Sequence, residues 1–101
     1  MAALMDPKTN SPLTNSINRL VAVFRNSGAK RVYIFGSAAK GTMRNESDVD
    51  FAVSGLPPEN FFKALSTASN IIDRPIHLID LDEATPFTQY LIEEGELQRV
   101  G

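Results

Sequence analysis

Cysteine is absent from this chain, so disulfides, thiolate zinc sites and cysteine nucleophiles are excluded at the outset. Histidine is nearly absent: His77 stands alone, which rules out any site that needs two imidazoles. No apolar run approaches the ~20 residues of a membrane span, and the opening Met1-Ala2-Ala3-Leu4-Met5 lacks the basic flank and length of a signal peptide. A strong charge of either sign is missing too. Ten basic and twelve acidic residues leave a net charge of −2, which gives no electrostatic reason to expect nucleic acid or an anionic membrane as the main partner. The expectation is a cytoplasmic protein.

The remaining composition is that of an ordinary globular domain, with 43% hydrophobic and 22% charged residues in a length of 101. A single domain of this size buries roughly 60–70% of its unfolded surface. Residues 1–10 are small and polar without periodicity and read as a flexible tail, so the domain proper is expected over 11–101. Ser11-Pro12 has the form of a helix start. Leu13, Ile17, Leu20, Val21 and Phe24 then recur at helical spacing until Asn26-Ser27-Gly28 supplies a stop. Arg31 to Phe35 is a short β-branched and aromatic run that suits a buried strand. A second strand is expected over 48–54, a helix from about Glu59 to Ile72 and a third strand from Pro75 to Leu81. A short helix over Phe87 to Glu94 completes the order. In the middle helix, Phe62, Leu65, Ser69 and Ile72 fall on one face and are expected to turn inward. The order helix, strand, strand, helix, strand, helix predicts an α/β (α+β) fold: a small mixed sheet of about three core strands with helices packed against it.

The unusual chemistry is concentrated between Tyr33 and Val53. A strand is followed by Gly36-Ser37-Ala38-Ala39-Lys40-Gly41, and the next strand opens with Ser47-Asp48-Val49-Asp50. Asp48 and Asp50 are two apart on a strand, so their carboxylates project from one face, about 6–7 Å apart along the backbone. Two converging carboxylates stay ionised when a cation lies between them, and hard oxygen donors of this kind suit Mg²⁺ or Mn²⁺. An isolated Asp-x-Asp has a plainer reading, a solvated strand start or a turn cap. Gly36-Ser37 adds to the metal reading, because a helical turn beginning there would present backbone N–H groups and a hydroxyl to an anion. Gly36 lets the backbone approach a phosphate closely, and Gly41 releases the chain from the turn. Lys40 and Arg44 could touch a polyphosphate or could be solvated surface cations. The stretch is not a P-loop, since its lysine precedes the second glycine instead of following it.

Gly36-Ser37, Gly41 and Ser47-Asp48-Val49-Asp50, in this order and spacing, resemble the signature of the DNA polymerase β-like nucleotidyltransferase superfamily. Small size and element order resemble its minimal nucleotidyltransferase (MNT) branch, which includes antitoxins paired with HEPN-domain toxins. The resemblance runs over about residues 11–98, through Pro86-Phe87 to Ile92-Glu93-Glu94-Gly95. It implies a nucleoside triphosphate held at Gly36, Ser37, Lys40, Gly41, Arg44 and Ser47, with Mg²⁺ or Mn²⁺ carried by Asp48 and Asp50. An acceptor hydroxyl would attack the α-phosphorus and pyrophosphate would leave, in two-metal chemistry. For an MNT antitoxin the implied donor is ATP and the implied acceptor a hydroxyl of a HEPN-type partner.

One position departs from the superfamily pattern. The third carboxylate is expected on the next strand, and in Ile76-His77-Leu78-Ile79-Asp80 the matching register falls on His77. Asp80 has the opposite strand parity and cannot replace it without a register shift. An imidazole is a poor Mg²⁺ ligand, yet it could serve as general base on the acceptor hydroxyl, or be a hydrogen-bonded strand residue without special duty. Asp48, Asp50 and His77 are therefore the candidate catalytic residues. Two functions follow: an active nucleotidyltransferase that adenylylates a partner protein, or a catalytically weakened MNT domain that neutralises or scaffolds a HEPN-type partner by binding. Transfer to a small molecule or an RNA end fits less well, for want of a second domain to hold the acceptor. Phe35, Phe51 and Phe62 read as core residues before base-stacking ones, Tyr33 and Tyr90 as packing residues that could instead be modified or bind a partner, and Glu93, Glu94 and Glu96 as a solvated acidic face. So small a domain is also expected to leave much of its sheet and first helix exposed to a partner or to a second copy.

Overall fold

Alternation along the strands divides the side chains between two faces, and the two faces carry unequal cover. A computed structural model describes residues 12–36, 39, 48–72 and 74–101. The elements are α1 (Pro12–Asn26), β1 (Arg31–Ile34), β2 (Val49–Ser54), α2 (Pro58–Ser69), β3 (Ile76–Asp80), α3 (Pro86–Glu93) and β4 (Gln98–Arg99). The sheet runs β3-β2-β1-β4. β1 is antiparallel to both β2 and β4, and β2 is parallel to β3. The result is a small α+β fold, a four-stranded mixed sheet with helices on both faces.

On the larger face, Val32, Ile34, Val49, Phe51, Val53 and Leu78 meet Ile17, Leu20 and Phe24 of α1 and Ala64 and Ala68 of α2. Phe24 and Phe51 are fully buried, with rings edge-on at 5.2 Å and 65°. The apolar face of α1 is thus covered rather than left open. On the other face, Phe35, Ala52 and Leu91 form a smaller cluster with Tyr33, Ile79, Leu81 and Leu97 around it. Here α3 is the only described helix. Its start is set by Thr85, whose hydroxyl accepts from the Thr88 N–H at 3.1 Å, while the Thr88 hydroxyl accepts from the Thr85 N–H at 3.0 Å.

Two details differ from the sequence expectation. Phe62 is 77% exposed, and Ser69 is exposed as well. α2 turns Ala64 and Ala68 inward, with Phe61 and Leu65 beside them. The helix lies against both α1 and the sheet, and only small side chains fit where backbones approach that closely. The second difference is a fourth strand: Gln98 and Arg99 pair with Ile34 and Tyr33. Two exposed polar residues carry no apolar alternation that could have announced a strand.

Candidate active site

The carboxylates lie where β1 ends and β2 and β3 begin. Val49, Phe51 and Val53 are committed to the larger core, so the pleat sends Asp50 and Ala52 to the opposite face. Ala52 is buried beneath α3, whereas Asp50, nearer the strand start, keeps 21% of its side chain accessible. Asp48 immediately precedes β2 and is exposed. The parallel register sets His77 beside Asp50, and Nδ1 of His77 lies 3.4 Å from Oδ1 of Asp50. His77 is 53% exposed, and its ring lies 6.2 Å from that of Phe35, centre to centre.

Gly36 closes the site from the β1 side. The Phe35 N–H donates to the Asp50 carbonyl at 3.1 Å, which brings the next residue over the Asp50 side chain. Gly36 has φ +63°, and a Cβ at this position would collide with Oδ2 of Asp50. Glycine is therefore required twice, by backbone conformation and by the close approach of the carboxylate. Ala39 packs against the larger core. Of the other residues assigned to nucleotide binding, Ser37, Lys40, Gly41, Arg44 and Ser47 lie outside the described residues.

Burial raises the pKa of Asp50 above its ordinary value of 3.8. The charge of His77 and its hydrogen bond oppose that rise, and the neighbouring negative charge of Asp48 adds to it. A partly buried carboxylate beside a second carboxylate is stabilised by a cation, so this donor set fits a hard divalent ion. Among the described residues, no group of three or more His, Cys, Asp or Glu side chains is arranged to hold a metal.

Asp80 is occupied at the other end of β3. Its carboxylate accepts from the Asp82 N–H at 2.9 Å, and Asp82 in turn accepts from the Gly55 N–H at 2.8 Å and the Ser54 hydroxyl at 3.3 Å. These two acids tie the β3–α3 turn to the end of β2. Two clefts flank the face that carries α3. One, of about 190 Å³, is bounded by Gly36 and Asp50 on the sheet and by Phe87, Tyr90 and Leu91 of α3. The other, of about 350 Å³, lies between α2, the β3 edge and the start of α3. Tyr90 and Phe87 were expected to pack or had no assigned role, and no periodicity distinguished them from core residues. Among the described residues, no helix is long and apolar enough to cross a membrane.

The chain belongs to the polymerase β nucleotidyltransferase family, whose model matches residues 18–97. Solved structures with the same fold include a minimal nucleotidyltransferase, with a TM-score of 0.69 and 18% identity over 99% of each chain. A toxin–antitoxin structure with AMP-PNP has a TM-score of 0.67 and 23% identity, covering 81% of this chain and 69% of that one. A tri-AMPylated Shewanella oneidensis HEPN toxin in complex with its MNT antitoxin has a TM-score of 0.62 and 18% identity, covering 84% of this chain and 68% of the other. At these identities the likeness is one of fold. No curated protein matches the chain.

Proposed function

We propose that this nucleotidyltransferase transfers AMP from ATP to a hydroxyl of a protein partner, as an MNT-type antitoxin acting on a HEPN-type protein in the cytoplasm. The observation that carries the reading is the meeting of Gly36, Asp50 and His77 at one end of the sheet. Gly36 makes room for the Asp50 carboxylate beside the turn assigned to phosphate. Asp48 and Asp50 would hold Mg²⁺ or Mn²⁺, which when bound neutralises charge on the triphosphate and on the departing pyrophosphate. The chain itself orients the donor and receives the proton. The acceptor oxygen forms its bond to the α-phosphorus, the bond from that phosphorus to the β-phosphate oxygen breaks, and the hydroxyl proton passes to His77. Asp50, 3.4 Å from Nδ1, orients that imidazole. The HEPN-type partner is supported by fold likeness to the two toxin–antitoxin assemblies.

His77 in register with Asp50 also favours a second reading, in which a domain without the third carboxylate neutralises its partner by binding alone. Intact-mass measurement separates the two. After incubation with a HEPN-type partner, ATP and Mg²⁺, the enzyme reading expects adducts of AMP mass on the partner. It also expects His77→Asp to change the rate of transfer more than the affinity for ATP. A tight complex without adducts supports the binding reading, and neither complex nor adduct overturns both.

A further inference from the structure

The cleft of about 190 Å³ between Asp50 and α3 has no role in the chemistry above. We infer that it holds the nucleobase of the donor nucleotide, stacked against Tyr90 and Phe87. The inference rests on the nucleotidyltransferase reading of the adjoining carboxylates and extends it to the base.

Position is the first argument. Gly36 and Asp50 line the cleft, so it adjoins the residues assigned to the nucleotide and to the metal. In the sheet, His77 lies on the β3 side of Asp50, whereas Phe35 and Gly36 lie on the β1 side. The Phe35 ring lines the cleft and lies 6.2 Å from His77 and 6.1 Å from Phe87. An acceptor that gives its proton to His77 therefore approaches from one side of Asp50, and the other side remains for the base.

Surface chemistry is the second. Phe87 and Tyr90 are three apart on α3, so they share a helical face. They are 43% and 51% exposed, and both border the cleft. The buried Phe35 ring supports Phe87 edge-on at 67°. Exposed rings backed by a buried one make a stacking platform, which accepts any base because every base has a π-face.

Charge is the third. Asp50 and Glu96 border the cleft, and its lining contains no cation among the described residues. Nothing in that lining attracts a polyphosphate directly. A base carries no charge, and its N–H edge can donate to the Glu96 carboxylate. The volume, below the ~300–1,000 Å³ of pockets that enclose a whole drug-sized ligand, matches a single planar ring system.

The test compares Mg²⁺–ATP with Mg²⁺–tripolyphosphate, which has the phosphates but no base, by calorimetry on the full chain. Tyr90→Ala is expected to weaken ATP by about tenfold while leaving tripolyphosphate within about twofold, the loss of one stacked base. Tyr90→Phe keeps the ring and is expected to bind ATP like the wild type. Ile92→Ala removes an exposed apolar side chain from α3 outside the cleft and is expected to change neither affinity. If wild type and Tyr90→Ala bind ATP equally, the inference falls and the transferase reading stands. A Tyr90→Ala variant that binds ATP normally but transfers more slowly to the partner assigns the cleft to the acceptor and likewise overturns it. If the wild type binds neither probe, the transferase reading falls and the inference with it.

Discussion

Asp50 carries the balance of forces at the site. Its carboxyl is partly buried, it faces the imidazole of His77, and its pKa is raised because burial outweighs the attraction of that ring. A carboxyl whose folded pKa lies above its unfolded value stabilises the fold below the unfolded value, and loses that contribution as pH rises through the folded one. In metal-free protein, Asp50→Asn is therefore expected to melt above the wild type at pH 7. The difference should shrink as pH falls toward 3.8. The same variant should lose Mg²⁺-dependent transfer. Thermal melts in EDTA from pH 7 to pH 4 check the first part, and a wild type that melts higher than the variant at pH 7 reverses the assignment.

At the scale of elements, the site depends on how strands end and on how one short helix begins. β1 stops at Ile34, Gly36 takes a left-handed φ, and β2 delivers Asp50 from a strand whose alternate residues are locked into the larger core. α3 must lie over the smaller face for the cleft beside Asp50 to exist. Eight residues do not hold a helix by propensity alone, so α3 relies on its packing and on the Thr85–Thr88 capping box. Thr85→Ala is expected to destabilise the domain by about 1 kcal/mol and to lower Tm by about 4–8 °C. An unchanged melting curve would show that α3 is held by packing alone.

For the molecule as a whole, unequal layers predict unequal opening. The larger face joins two helices to the sheet through fully buried Phe24, Phe51, Leu20 and Ile34, whereas α3 rests on Phe35, Ala52 and Leu91. Local unfolding follows buried apolar contact. Amide exchange is expected to be faster for residues 86–93 than for α1, β1 and β2, and to slow there when ATP is bound. Equal protection across α3 and β2 would contradict the two-layer reading. Phe62, Phe87, Tyr90 and Ile92 are the exposed large hydrophobic residues among those described.

Much of this was legible along the chain, because it depends on neighbours in sequence. The 3.6-residue spacing of Ile17, Leu20 and Phe24 and the strict alternation around Val49, Phe51 and Val53 fix which sides are buried. Parity alone put Asp50 and His77 on the face away from that core and Asp80 out of register. What depends on separated segments was not legible. The choice of Ala64 over Phe62 as the inner side of α2 reflects how closely that helix approaches α1 and the sheet. The pairing of Gln98 and Arg99 with β1 is made of backbone hydrogen bonds that any residue except proline can supply. Sequence alone determined the family and the strand that carries Asp50. The tertiary structure decided that Gly36 lies against Asp50 and that an aromatic cleft opens beside it. Both depend on the distance between chain segments, and short-range patterns of hydrophobicity carry no such distance.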